Sequence, residues 1–277
     1  MEEITISIGD GVIDTDPSGH RKLIELYQNC NEHSDKEIQL NFTNLEFISG
    51  NMCALLSAIL FRLHNLQRLT FAIDKTSFDY IEKELKFLFH NGFLKEVVSL
   101  PKARSCVELT TFRNDEDQKF LNYIEKELLG NYSMRIIPTD RSRMVDHFLE
   151  VFANVQLHAR TEHPIFACGQ FFKKQLKLHF TLVDLGVGYL QPIETFTHGK
   201  INNSEAAISW ALEGNSTKVE APGGTGLKAI LDYCSKNKGT FNIITGNAYW
   251  GNNLGSMGTR QVTPFCGTII HLIFNCN

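Results

Sequence analysis

Asp184 is the first residue on which chemistry can be built. It continues a row of apolar residues, Leu176, Leu178, Phe180 and Leu182, spaced by two as on one face of a strand. A carboxyl ending such a row needs a fixed donor, from the protein or from a ligand, because burying it unpaired is costly. Gly186 and Gly188 then break the strand and let the backbone approach whatever occupies the site. A plain turn after a strand has the same D-x-G-x-G spacing. Upstream, Glu150, Asn154 and His158 are spaced by four, so an acid, an amide and an imidazole share one stripe of a helix. Solvent-facing surface also has that composition. Downstream, Gly223, Gly224, Thr225 and Gly226 open a helical pattern through Leu227, Ile230, Leu231 and Cys234. Free backbone N–H groups and the helix dipole make that kind of start attractive to anions. No G-K-[ST] follows and no strand runs directly into it, which excludes a Walker loop and a dinucleotide fingerprint.

These groups need three kinds of support. The stretch Asp146 to Ala159 has helical periodicity, with Met144, Phe148 and Phe152 on one stripe and Val145, Leu149 and Ala153 on the next. The stretch His179 to Leu190 supplies the strand that ends at Asp184. A last strand alternates Thr268, Ile270, Leu272 and Phe274, so Thr268 also ends an apolar row. Two polar residues thus close two apolar rows.

In their order, EVFANVQLHA, VDLGVG, GGTGL and GTIIHLIF resemble the motifs of the GHKL ATPases and kinases, over about Asp117 to Phe274. The likeness is greatest to the anti-sigma-factor serine kinases, through E-x-x-x-N with His158 four residues on and Ser216, Thr217 and Lys218 before the Gly-rich loop. The resemblance implies a GHKL (Bergerat-type) α/β sandwich that binds ATP with Mg²⁺. It implies Asn154 as the Mg²⁺ ligand, a metal that prefers oxygen donors and keeps several waters. Glu150, one turn earlier, would orient or deprotonate the attacking water or hydroxyl. Asp184 would accept from the adenine amino group, with Thr268 beside it and Gly186 and Gly188 close by. Gly223, Gly224, Thr225 and Gly226 would wrap the phosphates. The segment from about Gln191 to Ala221 corresponds to the family's lid, with a short helix from Ser204 to Leu212.

Residues 1–100 alternate strand and helix: Ile4–Ile8, a helix from Gly19 to Cys30, a strand and turn over Glu37–Ile48, a helix from Asn51 to about Leu63, a strand Arg68–Ile73 and a helix Ser77–Phe89. LNFTNLEFISGNMCALLSAIL resembles the central motif of STAS domains. In STAS proteins regulated by phosphorylation a serine in the turn accepts phosphate, whereas Gly50 holds the aligned position here and Ser49 becomes an acceptor, for the second half, only if the turn is re-registered. This half therefore reads as a docking or structural domain. Residues 101–115, with Lys102, Arg104 and Arg113, read as a linker, and 116–277 as the ATP-binding domain. The expected class is α/β throughout.

With 277 residues and 43% hydrophobic content, each half has enough material for a core. A net charge of −4 gives no electrostatic reason to expect nucleic acid or an anionic membrane. Seven cysteines without a C-x-x-C pair read as reduced thiols, and the start MEEITISIGDG lacks the basic and apolar regions of a signal peptide. The expectation is a cytoplasmic regulatory ATPase or serine/threonine kinase acting on a protein partner, with self-association among the options. The alternative is a non-catalytic switch in which nucleotide gates binding through the N-terminal half.

Overall fold

Asp16, Asp74 and Asn203 each start a helix as its side-chain cap. The computed structural model describes residues 4–98, 101, 103, 105–130, 138–217, 225–254 and 259–276. Its N-terminal half contains β1 (Ile4–Ser7), β2 (Gly11–Ile13), α1 (Pro17–Asn31), β3 (Glu37–Asn41) and β4 (Leu45–Ile48). A 3₁₀ turn (Gly50–Met52) leads into α2 (Cys53–Gln67), followed by β5 (Thr70–Ala72), α3 (Lys75–Glu84) and α4 (Phe87–His90). Asp16 caps α1 by accepting from the Gly19 amide at 2.7 Å, with Pro17 at the first helical position. Asp74 caps α3 in the same way through Ser77 at 2.7 Å. Strands β1, β3 and β5 form one parallel sheet, while β2 and β4 pair separately.

The stretch expected as a strand and turn over Glu37–Ile48 is two strands joined by a turn. Asn41 accepts from the Thr43 amide and hydroxyl, both at 2.8 Å, and turns the chain between them. The helix expected over Ser77–Phe89 stops at Glu84 and resumes at Phe87, which turns Leu85, Leu88 and Phe89 into the core.

The second half contains β6 (Cys106–Phe112), α5 (Asp117–Tyr123) ending in a π turn, α6 (Pro138–His158), β7 (Ile165–Phe172) and β8 (Lys177–Asp184). It continues with α7 (Leu190–Phe196), α8 (Ser204–Leu212), α9 (Thr225–Lys236), β9 (Thr240–Gly251) and β10 (Thr259–Asn275). Its five strands pair antiparallel throughout, in the order β6-β7-β8-β10-β9. The expected linker at 101–115 is corrected here. Cys106–Phe112 is the edge strand of this sheet, paired with β7, and it buries Cys106, Val107 and Phe112. Flanking basic residues concealed a short run of β-formers. Leu176, assigned above to the β8 row, is instead a half-exposed turn residue with φ +52°. At the far end of the sheet β9 runs to Gly251 and β10 begins at Thr259.

Alternation decides which way each strand residue faces. On the front of the sheet Leu178, Phe180, Leu182, Ile270, Leu272 and Phe274 share a core with Phe148, Phe152 and Val155 of α6 and Ile230 of α9. Phe152 stacks on Phe120 of α5 with ring centroids 4.3 Å apart, which fixes α6 across the sheet. On the reverse face Phe166, Cys168, Val183, Ile244 and Ile269 share a second core with α1 and α2. Antiparallel sheets commonly leave one face to solvent; this one is covered on both.

Candidate functional site

Three apolar rows on the front of the sheet each end in a polar residue. On β8 the row Leu178, Phe180, Leu182 ends in Asp184, and on β10 the row Phe274, Leu272, Ile270 ends in Thr268. These two residues are direct cross-strand partners. On β9 the row Phe241, Ile243 ends in Thr245, which pairs with Thr268 in turn. All three polar ends are at least 96% buried, with relative exposures of 3%, 4% and 1% for Asp184, Thr268 and Thr245.

Asp184 Oδ1 accepts from the Gly186 amide at 2.9 Å, and Thr268 hydrogen-bonds the same carboxylate through its hydroxyl and its amide. Burial nevertheless dominates and pushes the Asp184 carboxyl up from 3.8 to about 6, with those hydrogen bonds opposing the rise. The nearby Tyr189 hydroxyl is raised too, chiefly by burial and then by the Asp184 charge.

The turn after Asp184 ties the site together. The Val187 amide donates to Ala159 O at 2.9 Å, which fixes the C-terminal end of α6 to the turn. A side chain at Gly186 would meet that carbonyl oxygen at 2.2 Å, so only glycine allows the approach. On the other side, the Tyr189 amide donates to the Thr245 hydroxyl at 3.1 Å, and that hydroxyl donates to Gly267 O at 3.1 Å. Gly188 lies between these anchors with φ +70°, and an added Cβ would sit 2.4 Å from Thr245 Oγ1. Gly188→Ala is therefore expected to combine left-handed strain with overpacking and to cost about 2–4 kcal/mol. A urea titration of wild type and variant measures this as a lower midpoint at unchanged slope.

Around this anchor opens a cleft continuous with solvent, about 720 Å³ when the open space at its mouth is included. Asn154, Asp184, Gly188 and Thr268 all line it, so four of the residues singled out from sequence come together. Its apolar walls come from Val151 and Val155 of α6, Ile193 of α7, and Ile270 of β10. Asn215, Ser216 and Thr217 close one side. Gly186 lies outside the lining, packed on Ala159. Glu150 lies outside the lining, against α9, where a Cβ added at Gly226 would meet its side chain at 2.8 Å. Gly226 therefore permits the close crossing of α6 and α9. Thr225 opens α9, while Gly223, Gly224 and Lys218 lie outside the described residues.

Two contributions were missed from sequence. Thr245 ends an apolar row just as Asp184 and Thr268 do, and the same alternation rule applied to FNIIT finds it. The helix α7, which supplies Pro192 and Ile193 to the cleft, was read only as part of a lid. Its short length and internal proline leave almost no periodic signal.

The residues present fit a nucleotide with a hydrated cation. A buried carboxylate and a hydroxyl sit together at the end of an apolar cleft, an arrangement suited to the donor edge of a base between nonpolar walls. Asn154 adds one amide oxygen, the kind of donor Mg²⁺ uses when most of its shell is water and phosphate. No family model, no curated protein and no solved structure matches this chain.

Proposed function

We propose that this protein binds Mg²⁺-ATP in the front cleft and works as a regulatory ATPase or serine/threonine kinase of the GHKL, anti-sigma-factor kind, with a STAS-like N-terminal half. The observation that carries the reading is the convergence of Asp184, Thr268, Gly188 and Asn154 on one cleft, although they come from three separated parts of the chain. In this reading Asp184 accepts from the adenine amino group, and Thr268 holds the carboxylate in place. Asn154 holds the cation that neutralises phosphate charge. The start of α9 directs its free amides and positive dipole end at the phosphates. Glu150, one turn before Asn154 on α6, positions or deprotonates the attacking water or hydroxyl. Calorimetric titration with ATP, with and without Mg²⁺, tests the binding. Incubation with γ-labelled ATP, alone and with cell lysate, separates hydrolysis from transfer.

One observation favours the second reading, a nucleotide-gated switch. Ser49, Gly50 and Asn51 are buried, and the Gly50 amide donates to Gln170 Oε1 of β7 at 2.6 Å. The turn that would present an acceptor serine is thus pressed against the sheet, and its place is taken by a glycine. Both readings require the segment over the cleft to respond to ligand. α8 begins at an Asn203 cap that accepts from the Ala206 amide at 2.9 Å, and Trp210 of α8 packs on Phe196 of α7. Hydrogen exchange with a non-hydrolysable ATP analogue is expected to slow the amides from Asn215 to Thr217 by at least about tenfold, as closure over a ligand does elsewhere. Equal exchange with and without analogue would remove gating from both readings.

A further inference from the structure

The reverse face of the five-stranded sheet, where the two halves meet, carries polar groups in an otherwise apolar interior. His179 and Thr181 of β8 and His271 of β10 are buried there with Thr15, His20 of α1 and Asn51. The Asn51 side-chain amide donates to Thr181 Oγ1 at 2.8 Å, and that hydroxyl lies 2.7 Å from His271 Nδ1. The Thr15 hydroxyl lies 3.2 Å from Asn51 Oδ1 and 3.3 Å from His179 Nδ1. Hydrogen bonds thus run from the N-terminal half into the sheet and back.

The histidines are only partly served by this network. Nε2 of His179, Nε2 of His271 and both ring nitrogens of His20 are buried without a hydrogen-bond partner. The His20 ring stands edge-on to Tyr249 of β9, with centroids 6.2 Å apart. An interface that only had to stay shut would be better filled by apolar side chains of the same size.

We propose that this seam is an acid-released latch, in which protonation of His20, His179 and His271 undocks the N-terminal half from the reverse face of the sheet. The latch is independent of what the front cleft binds. A charged ring in the seam would find little compensation. For His179 the Asp14 charge favours the protonated ring and Lys177 opposes it, while Asp14 Oδ1 already accepts from the Ser49 hydroxyl and the Thr15 amide; burial outweighs both charges. His271 feels His20 and His179, which gain charge of the same sign. On α1 the nearest carboxylate in sequence to His20, Asp16, is engaged as the helix cap, and Cys168 of β7 holds its thiol against Gly50 O at 3.1 Å.

Burial holds His20 and His179 down at about 4, and burial with its two neighbours holds His271 at about 3. Once exposed, the rings return to the ordinary value of about 6.5. The undocked state therefore binds more protons between about pH 6.5 and 4. Docking is complete above that window and is lost as pH falls through it.

The test uses the full chain. Amide exchange in α2 and β8, scaled for intrinsic rates, gives the opening constant from pH 7.5 to 5, and small-angle scattering and far-UV circular dichroism are followed in parallel. The opening constant is expected to rise by up to about a thousandfold per pH unit below pH 6, one proton for each of three rings. The radius of gyration should grow while the helical signal holds. His20→Phe loses no hydrogen bond, and it should cut the slope to about a hundredfold per unit. An unchanged slope in that variant overturns the proposal, as does loss of helical signal in step with exchange. Should His20→Phe not fold, the wild-type slope decides, and uptake of fewer than one proton on opening overturns the latch.

Discussion

Replacing Asp184 with asparagine should weaken ATP binding about a hundredfold at pH 7.5 while leaving the unliganded protein more stable. The loss has two parts: a charge-assisted acceptor disappears, and the new amide can turn a donor towards the donor edge of the base. Together these amount to about 3 kcal/mol. The gain in stability follows from burial. The unfolded carboxyl ionises above 3.8, but the folded one ionises only above about 6. Between those values folding takes up a proton, so stability falls as pH rises from 3.8 to 6 and then levels off. Above pH 6 the whole cost, about 3 kcal/mol, is present, and Asp184→Asn removes it. Calorimetry and urea unfolding should therefore move in opposite directions. Wild-type affinity should also decline below pH 6, as the carboxyl acquires a proton, whereas the variant's affinity should be flat. Equal ATP affinity in the two proteins would remove Asp184 from base recognition.

Glu150→Gln should spare ATP affinity within about twofold and lower turnover by about 10²- to 10⁴-fold, the usual effect of losing a general base. The substitution keeps size and polarity, and Glu150 lies against Gly226 outside the cleft lining, so neither the walls nor Asn154 should shift. A sensitive phosphate-release assay measures the change. No wild-type turnover above background would favour the switch. A variant as fast as wild type would take Glu150 out of the mechanism. Either result leaves the Asp184 titration to judge ATP binding independently.

The front of the sheet was legible because its logic is local. A polar residue ending an alternating apolar row is visible in a single strand, as Asp184 and Thr268 are without knowledge of their pairing. Helical spacing put Asn154 on one stripe with Glu150 and His158, a composition that solvent-facing surface shares, and only the family resemblance marked it as a ligand. The reverse face was not legible. His179, Thr181 and His271 alternate with front-face residues and, from sequence alone, read as the polar half of a strand open to water. Only the placement of α1 and α2 makes them interior. The strand Cys106–Phe112 was lost for a related reason: its partner β7 lies more than fifty residues away, and nothing local distinguishes an edge strand from a tether.

The covering of both faces bears on modularity. Each residue of β8 after Lys177 is buried, so the strand that ends at Asp184 has no side left to vary freely. A different N-terminal half could replace the present one only by bringing groups that answer His179, Thr181 and His271 while filling the space around Val183 and Ile269. The C-terminal half is thus not a cassette that could be moved intact to a new neighbour. A change on one side of the seam therefore calls for a matching change on the other.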